Sequence, residues 1–449
     1  MRIQGIGRRI VLALGAAAGA LAMTTSAASA AGELPQQWNP RTVAVNHQDG
    51  NSFLLRPGQI IAAPGDAQDV QRVLSDWRPS DQRPFGLTLF TRAPKTSDPA
   101  REVLEALARV RKMTSNRKQG PARVAPNHVF VGESTTSASA INFYGEPRVQ
   151  GGPGSSVRQA VAPAALPLRT TRPDDGQGVR IAVLDTGMFE HEWLGDVQRA
   201  PGSDDIWDVE NDGYADAESG HGTFIAGLLL QVAPAASVYA AKVLDSHGVG
   251  DDMAVAAAIQ QLPSDIDIIN LSLGGYTDHD TPPLAIETAL QQIGAQRGAV
   301  VAAAGNQAID RPFWPAALNS VLAVGAVDDQ GGKWSGASYS NFGPWVDAVA
   351  RGSNLQSTFG RGMTKVAQGA TISPTDPSIA FGGWAEWDGT SFATPIAAAM
   401  IARTMSRYRL GAAEDAQAWM LGTAPPAPSE FPNAVRLDEL EGAGGVTPK

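Results

Sequence analysis

Short runs of apolar residues alternate with helical stretches from about Val179 to Arg436. The runs are apolar at consecutive positions, which is typical of strands that are covered on both faces of a parallel sheet. The alternation predicts an α/β fold, a doubly wound and mainly parallel sheet with functional groups at the carboxyl ends of its strands. The predicted strands are 180–184, 237–242, 266–271, 299–303, 321–327 and 345–349, and the helices between them include 223–230, 252–261 and 283–297.

A smaller unit precedes this sheet. Strands predicted at 59–63, 85–91 and 123–131 alternate with helices predicted at 66–77 and 98–112. The second helix carries Val103, Leu107 and Val110 at helical spacing. We therefore predict a small α+β domain over residues 31–133, followed by a larger domain over 179–436.

The remaining segments have compositions that are not those of a folded core. Arginines at positions 2, 8 and 9 precede the apolar run 10–23, and Ala28-Ser29-Ala30 ends it, which predicts an export signal over residues 1–30. The apolar run is shorter than the ~20 residues that a membrane anchor needs. We expect a secreted protein with no membrane span after signal removal. Residues 134–178 are rich in Gly, Ser, Pro and Ala, as linkers are, and 437–449 form a C-terminal tail.

Composition excludes several classes of function. The chain has no cysteine, so disulfides, thiolate metal sites and cysteine catalysis are excluded. Its net charge of −10 argues against a nucleic-acid partner, which needs a basic face. No two of the 6 histidines are three to five residues apart, so a zinc-binding pair on one helix is not expected.

Three polar side chains lie where predicted strands or loops meet helices. Asp185 follows the strand 180–184, whereas His221 and Ser391 each open a helix. A serine hydroxyl becomes a good nucleophile when a base accepts its proton, and that base needs a carboxylate to hold its tautomer. The set therefore predicts an Asp-His-Ser triad. We expect burial to keep His221 neutral, as a base must be.

Each of these residues also has a purely structural interpretation. Asp185 and Ser391 are common helix N-caps, and His221 could cap a core helix. Asn306 follows the strand 299–303, where its amide could donate to an oxyanion or simply complete a turn after Gly305. Any one of these residues would be weak evidence of catalysis, and the complete set is what favours it.

Together these segments resemble the subtilase family of serine peptidases over residues 179–436, and the strings GHGTFIAG (220–227) and GTSFATP (389–395) are specific to it. The resemblance implies Asp185, His221 and Ser391 as the triad and Asn306 as oxyanion donor. It also implies an edge strand that pairs with an extended polypeptide substrate. The substrate-binding residues implied are Ser272, Leu273, Gly274, Ala303, Ala304 and Gly305.

The same resemblance suggests that the N-terminal domain is a propeptide, an intramolecular inhibitor that the enzyme itself removes by cutting between the two domains. A permanent accessory domain is the alternative. For the whole chain, a secreted serine endopeptidase made as a zymogen is the leading hypothesis. A dedicated processing peptidase for one partner protein and a catalytically silent peptide-binding protein are the alternatives.

An acidic loop and a pair of aromatic residues suggest, respectively, a metal site and a narrow specificity pocket. The chemistry requires no cofactor, but the acidic loop that contains Asp208, Glu210 and Asp212 resembles an imperfect calcium loop and could bind a structural calcium ion. Phe313 and Trp314 follow Asn306 at short distance and are expected to narrow the specificity pocket that the family resemblance implies, which would favour small side chains.

Overall fold

The computed structural model describes residues 43–46, 52–132, 168, 170–195, 197–209, 211–294, 298–365 and 378–437. The predicted export signal and most of the predicted linker lie outside the described residues.

The N-terminal domain is an antiparallel sheet with two helices. Strand β2 pairs antiparallel with β1, β4 and β5, and β3 pairs with β4. The elements are β1 (Val43–Asn46), β2 (Ser52–Ala62), α1 (Ala67–Val73), β3 (Arg78–Pro79), β4 (Thr88–Thr91), α2 (Pro99–Met113) and β5 (Val124–Gly132). Helix α2 begins after Asp98, whose carboxylate accepts from the backbone N–H of Arg101 at 3.0 Å. Its apolar stripe packs against the sheet in a core of its own.

The larger domain contains the predicted parallel sheet. Its elements in chain order are β6 (Arg180–Asp185), β7 (Gln198–Arg199), α3 (His221–Val232), β8 (Ser237–Lys242), β9 (Val249–Asp251), α4 (Asp252–Gln261), β10 (Ile268–Leu271), β11 (Leu273–Gly274), α5 (Leu284–Ile293), β12 (Ala299–Ala303), β13 (Leu322–Asp329), β14 (Trp334–Gly336), β15 (Ala348–Arg351), β16 (Leu355–Lys365), β17 (Ser378–Trp387), α6 (Thr390–Tyr408), α7 (Ala413–Thr423) and β18 (Val435–Arg436). The strand order is β18-β15-β13-β12-β10-β6-β8-β7, all parallel, with β14 antiparallel to β13.

Helices cover both faces of this sheet, so the predicted doubly wound fold is confirmed. On β6, Ile181 and Val183 contribute to one core with helices α3 and α6. The alternate residues Ala182 and Leu184 contribute to a second core with helices α4 and α5. Alternate side chains of one strand thus face opposite layers, which explains why the strands are apolar at every position.

Two predicted strands begin three residues later than expected. The run 85–91 is extended only from Thr88, because Pro84–Gly86 forms a 3₁₀ turn. The run 345–349 was expected to be extended from its first residue, but the strand begins only at Ala348. The backbone N–H of Val346 donates to the carbonyl of Gly343 at 3.2 Å, which makes a turn there. The apolar residues before Ala348 therefore pack as a loop.

Strand β5 joins the two domains. It lies between β9 and β11 and pairs antiparallel with both, Val131 opposite Val249 and Gly274, and Gly132 opposite Leu273. Phe130 on the same strand contributes to the core beneath helices α4 and α5. The last strand of the small domain is therefore built into the sheet edge of the large one.

Candidate active site

Asp185 and His221 form the centre of the site. Asp185 is the last residue of β6, and Nδ1 of His221 donates to its Oδ1 at 2.7 Å. The same oxygen accepts from the backbone N–H of Thr186 at 2.8 Å. Both side chains are buried. A carboxylate on Nδ1 fixes the tautomer in which Nε2 is the basic nitrogen.

Two glycines allow His221 to open helix α3 at this place. Gly220 has φ +87°, and a Cβ there would lie 2.4 Å from the ring of Phe359. A Cβ on Gly222 would lie 2.2 Å from the carbonyl oxygen of Gly187. Neither position tolerates a side chain, so the glycines on both sides of His221 are required by close packing.

The pKa of His221 departs from the sequence expectation. Burial alone would lower its pKa, but the negative charges of Asp185 and Glu218 outweigh burial and raise the pKa of His221 to about 9. The two carboxylates therefore favour the protonated ring, whereas burial, on which the sequence expectation of a neutral ring rested, acts in the opposite direction.

Ser391 lies in the first turn of helix α6, and the ring centroid of the next residue, Phe392, is 5.2 Å from that of the His221 imidazole. Its hydroxyl donates to the carbonyl oxygen of Ser272 at 3.1 Å, and the hydroxyl of Ser272 donates back to the carbonyl of Ser391 at 2.7 Å. Among the described residues, Nε2 of His221 has no hydrogen-bond partner. All three triad candidates are buried, Asp185 and His221 are hydrogen-bonded, and the turn that carries Ser391 packs against the imidazole through Phe392.

Asn306 lies next to the start of the same helix. Its side-chain oxygen accepts from the backbone N–H and from the hydroxyl of Thr390, each at 2.9 Å. These two bonds fix the oxygen end of the amide on Thr390, so that its nitrogen is the donor end directed to other groups. Thr390, which sequence reasoning missed, is therefore the residue that orients Asn306.

Two buried carboxylates near His221 were also missed. Oε2 of Glu218 lies 3.8 Å from Nε2 of His221. Asp205 accepts from the backbone N–H of Gly220 at 2.8 Å and from the hydroxyl of Thr186 at 2.9 Å. Burial raises the pKa of Asp205 to about 6. Only the position of Glu218, three residues before His221, could have signalled its role.

The implied substrate-binding residues lie on two segments that flank Ser391. Leu273 and Gly274 form β11, the edge that β5 occupies. Ala303 ends β12, whereas the carbonyl of Ala304 accepts from the amide of Asn341 at 2.9 Å and the N–H of Gly305 donates to Thr390 at 3.1 Å. The segment 303–305 is therefore held by the protein itself.

Phe313 fills the space between these segments. A Cβ on Gly274 would lie 2.1 Å from Cε1 of Phe313, and a Cβ on Gly305 would lie 3.1 Å from its Cγ. Trp314 is placed differently, since its backbone pairs with Gly275 and its side chain belongs to the core with helices α4 and α5. Of the two aromatic residues expected to narrow a pocket, Phe313 is the one between the two segments.

The carboxylates of Asp208 and Asp212 in the acidic loop accept hydrogen bonds from backbone N–H groups of the same loop. The carboxylate of Asp208 accepts from the N–H groups of Asp212 and Gly213 at 3.0 and 2.7 Å, and Asp212 accepts from Tyr214 at 3.0 Å. Glu210 lies outside the described residues. Over the part of the chain that the structure describes, no group of three or more acidic or histidine side chains could hold a metal ion. The calcium hypothesis stays a prediction without support from this geometry.

No helix within the described ranges is both long enough and apolar enough to cross a membrane.

Comparison with known proteins gives the family context. The sequence model of the subtilase family matches residues 176–444. A thermostable alkaline protease of Halalkalibacterium halodurans is 35% identical over 243 residues, which are 52% of this chain and 58% of that protein. Subtilisin Savinase of Lederbergia lenta is 32% identical over 253 residues, which are 54% of this chain and 81% of that protein. The chain thus spans less than two thirds of the first of these relatives.

One solved structure resembles most of the chain. Fervidolysin from Fervidobacterium pennivorans, a keratinolytic enzyme related to subtilisin, superposes with a TM-score of 0.59 and 18% identity over 88% of this chain and 62% of that chain. At this identity the similarity shows a shared fold.

Proposed function

The chain belongs to the subtilase family, and on this premise we propose that it is a secreted serine endopeptidase that hydrolyses extended polypeptides. The observation that carries the proposal is the hydrogen bond of 2.7 Å from His221 to Asp185, against which the turn that carries Ser391 packs through Phe392. In the proposed reaction Oγ of Ser391 attacks the peptide carbonyl while Nε2 of His221 takes its proton. The same nitrogen then protonates the leaving amine, and water hydrolyses the acyl-enzyme by the reverse proton path.

The other residues stabilise charge and orientation. Asp185 holds the tautomer of His221 and stabilises the imidazolium that forms. The amide nitrogen of Asn306 donates to the oxyanion, since Thr390 holds the oxygen end of that amide at 2.9 Å. The start of helix α6 adds its backbone N–H groups and the positive end of its dipole. No cofactor takes part in these steps.

Strand β5 supports the expected mode of substrate binding. A polypeptide that took its place would pair with β11 on one side and β9 on the other, which is strand addition at an exposed sheet edge. The side chain of Phe130 on β5 enters the core of the large domain and is buried there. We infer that substrates bind in this antiparallel register.

The occupied edge also supports a zymogen. While β5 pairs with β11, no other chain can add there, so the N-terminal domain acts as a tethered inhibitor. Gly132 lies opposite Leu273, one residue from Ser272, whose carbonyl accepts from the hydroxyl of Ser391. We therefore expect self-cleavage just beyond Gly132, after Glu133, and release of the domain on dilution.

Three measurements test this function. A serine-directed phosphonate should label the purified protein at Ser391, and Ser391→Ala should abolish both labelling and hydrolysis. The N-terminal sequence of the secreted wild type should begin near Ser134, whereas Ser391→Ala should accumulate uncut and begin at Ala31. Absence of both labelling and hydrolysis would favour a silent binding protein, and a fully active uncut wild type would favour an accessory domain.

Phe313 carries the proposed preference for small side chains. Its ring lies against both Gly274 and Gly305, which the family resemblance places on the two walls of the specificity pocket. Self-cleavage after Glu133 takes place at the high effective concentration of a tethered segment and does not need a preferred residue. A library of free peptides should be cut mainly after small residues, and Phe313→Ala should admit larger ones. A library that is cut chiefly after large aromatic residues would contradict this assignment.

A further inference from the structure

Gly132 faces a carboxylate. A Cβ built on Gly132 would lie 3.3 Å from Cδ and 3.4 Å from Oε2 of Glu218. The backbone N–H of Gly132 donates to the carbonyl of Gly248 at 2.8 Å, and the strand register sets this residue opposite Leu273. Any side chain at this position of β5 would thus be directed at Glu218.

Glu218 is held firmly in place. The residue is fully buried at 0% exposure, and its backbone N–H donates to the carbonyl of Ser246 at 2.9 Å. Gly248, with φ +78°, provides the space for the Glu218 side chain, because a Cβ there would lie 2.3 Å from its Cγ. On its other side, Oε2 is 3.8 Å from Nε2 of His221. The carboxyl group therefore lies between the imidazole and the strand position of Gly132.

From this geometry we infer that Glu218 is a specificity-determining residue that restricts the substrate position occupied by Gly132 to glycine. The inference rests on the proposed function, in which a substrate strand replaces β5. A methyl group at this position needs Glu218 to shift by a few tenths of an ångström, and close packing resists this. An acidic side chain would also bring a second negative charge beside a buried one.

The experiment compares peptides that differ only at this position. Peptides with the sequence Phe-Val-X-Ala-Ser-Thr, in which Phe-Val-X corresponds to residues 130–132 of β5 and the bond after Ala is the one expected to be cut, are offered to the mature enzyme with Gly, Ala or Glu at X, and kcat/KM is measured. We expect Ala to be about 10-fold and Glu about 100-fold below Gly. In Glu218→Ala, the kcat/KM values of the Ala and Glu peptides, each divided by that of the Gly peptide, should both rise toward one. Glu218→Gln, which keeps the bulk and removes the charge, should raise this ratio only for the Glu peptide.

Ratios between peptides isolate specificity, since any change in the basicity of His221 affects all three peptides alike. Glu414→Gln, at an exposed residue in the first turn of helix α7, is the matched control and should leave the ratios unchanged. Equal cleavage of the Gly and Ala peptides by the wild type, or unchanged ratios in Glu218→Ala, would overturn the inference while leaving the peptidase function intact. Failure to cut any peptide or to react with the phosphonate would refute the proposed function itself.

Discussion

Two buried histidines, His128 at the domain interface and His221 in the active site, have pKa values that are shifted in opposite directions. Both are almost completely excluded from solvent, at 1% and 0% exposure. Nε2 of His128, on β5, accepts from the backbone N–H of Asp278 at 3.1 Å, whereas Nδ1 of His221 donates to Asp185. Burial lowers the pKa of His128 to about 3, whereas the pKa of His221 is raised to about 9.

The difference shows that burial alone does not decide the charge of a histidine. Burial lowers the pKa of both rings, but at His221 two carboxylates, Asp185 and Glu218, outweigh it. His128 has a backbone N–H donor in that place, and only a neutral ring can accept this bond. The surroundings of His221 thus favour its protonated form, and those of His128 favour the neutral ring.

The strongest test of this contrast removes each ring. His221→Ala or Ser391→Ala should lower kcat of the mature enzyme by at least about four orders of magnitude, because the base and the nucleophile act as one unit. The double variant should be scarcely worse than either single one. His128→Ala, once processed, should hydrolyse peptides like the wild type, since β5 has left. Additive losses in the double variant would contradict the triad.

A smaller loss is expected when the oxyanion donor is removed. Asn306→Ala should lower kcat by about 10²–10³ with little change in KM, since its donor acts on the charge that develops in the transition state. The pH profile should keep its shape, because Asn306 does not titrate. A mainly raised KM would assign Asn306 to ground-state binding.

Because His128 is buried as a neutral ring at the domain interface, we expect the docking of β5 to weaken at acid pH. The pKa of His128 is lowered from 6.5 to about 3 when β5 is docked. The neutral ring therefore stabilises the docked strand fully above pH 6.5, and this stabilisation is lost as the pH falls toward 3. From pH 7 to pH 5 the opening of β5 should become easier by about 2 kcal/mol, or roughly 30-fold.

Hydrogen exchange of the β5 amides in uncut Ser391→Ala measures this opening. Adding His128→Gln is the control, because glutamine can accept from Asp278 and does not titrate in this range. The difference between the two proteins isolates His128 from other acid-sensitive groups. The same pH dependence with and without the substitution would show that another group controls the opening.

The sequence predicted the parts of the molecule that depend on local pattern. The apolar strand 180–184 ends at Asp185, and the glycines around His221 mark a tightly packed helix start, so both could be placed without coordinates. The doubly wound sheet followed for the same reason. Strand 345–349 was displaced, because an apolar run does not distinguish a strand from a packed loop.

What depends on contacts between distant segments was not predictable. Glu218 lies three residues before His221, but the direction of its side chain toward the imidazole depends on the space over Gly248, which belongs to a distant segment. For this reason the sequence indicated the burial of His221, which lowers its pKa, and not the second carboxylate, which raises it. The place of Phe313 between Gly274 and Gly305 likewise needed the tertiary structure.

The smallest expected effect is a change in the acid limb of the activity profile. The negative charge of Glu218, 3.8 Å from Nε2 of His221, favours the protonated ring, which cannot accept the proton of Ser391. Glu218→Gln should therefore shift the acid limb of kcat/KM to lower pH and raise activity a few fold on that limb, with little change at alkaline pH.

The glycine-containing peptide is the substrate of choice, since the substitution leaves the space around that residue unchanged. Glu414→Gln, which removes an equal charge at an exposed site, should leave the profile in place. A profile of Glu218→Gln identical to that of the wild type would mean that solvent in the open cleft screens this carboxylate, and that Asp185 alone sets the basicity of His221.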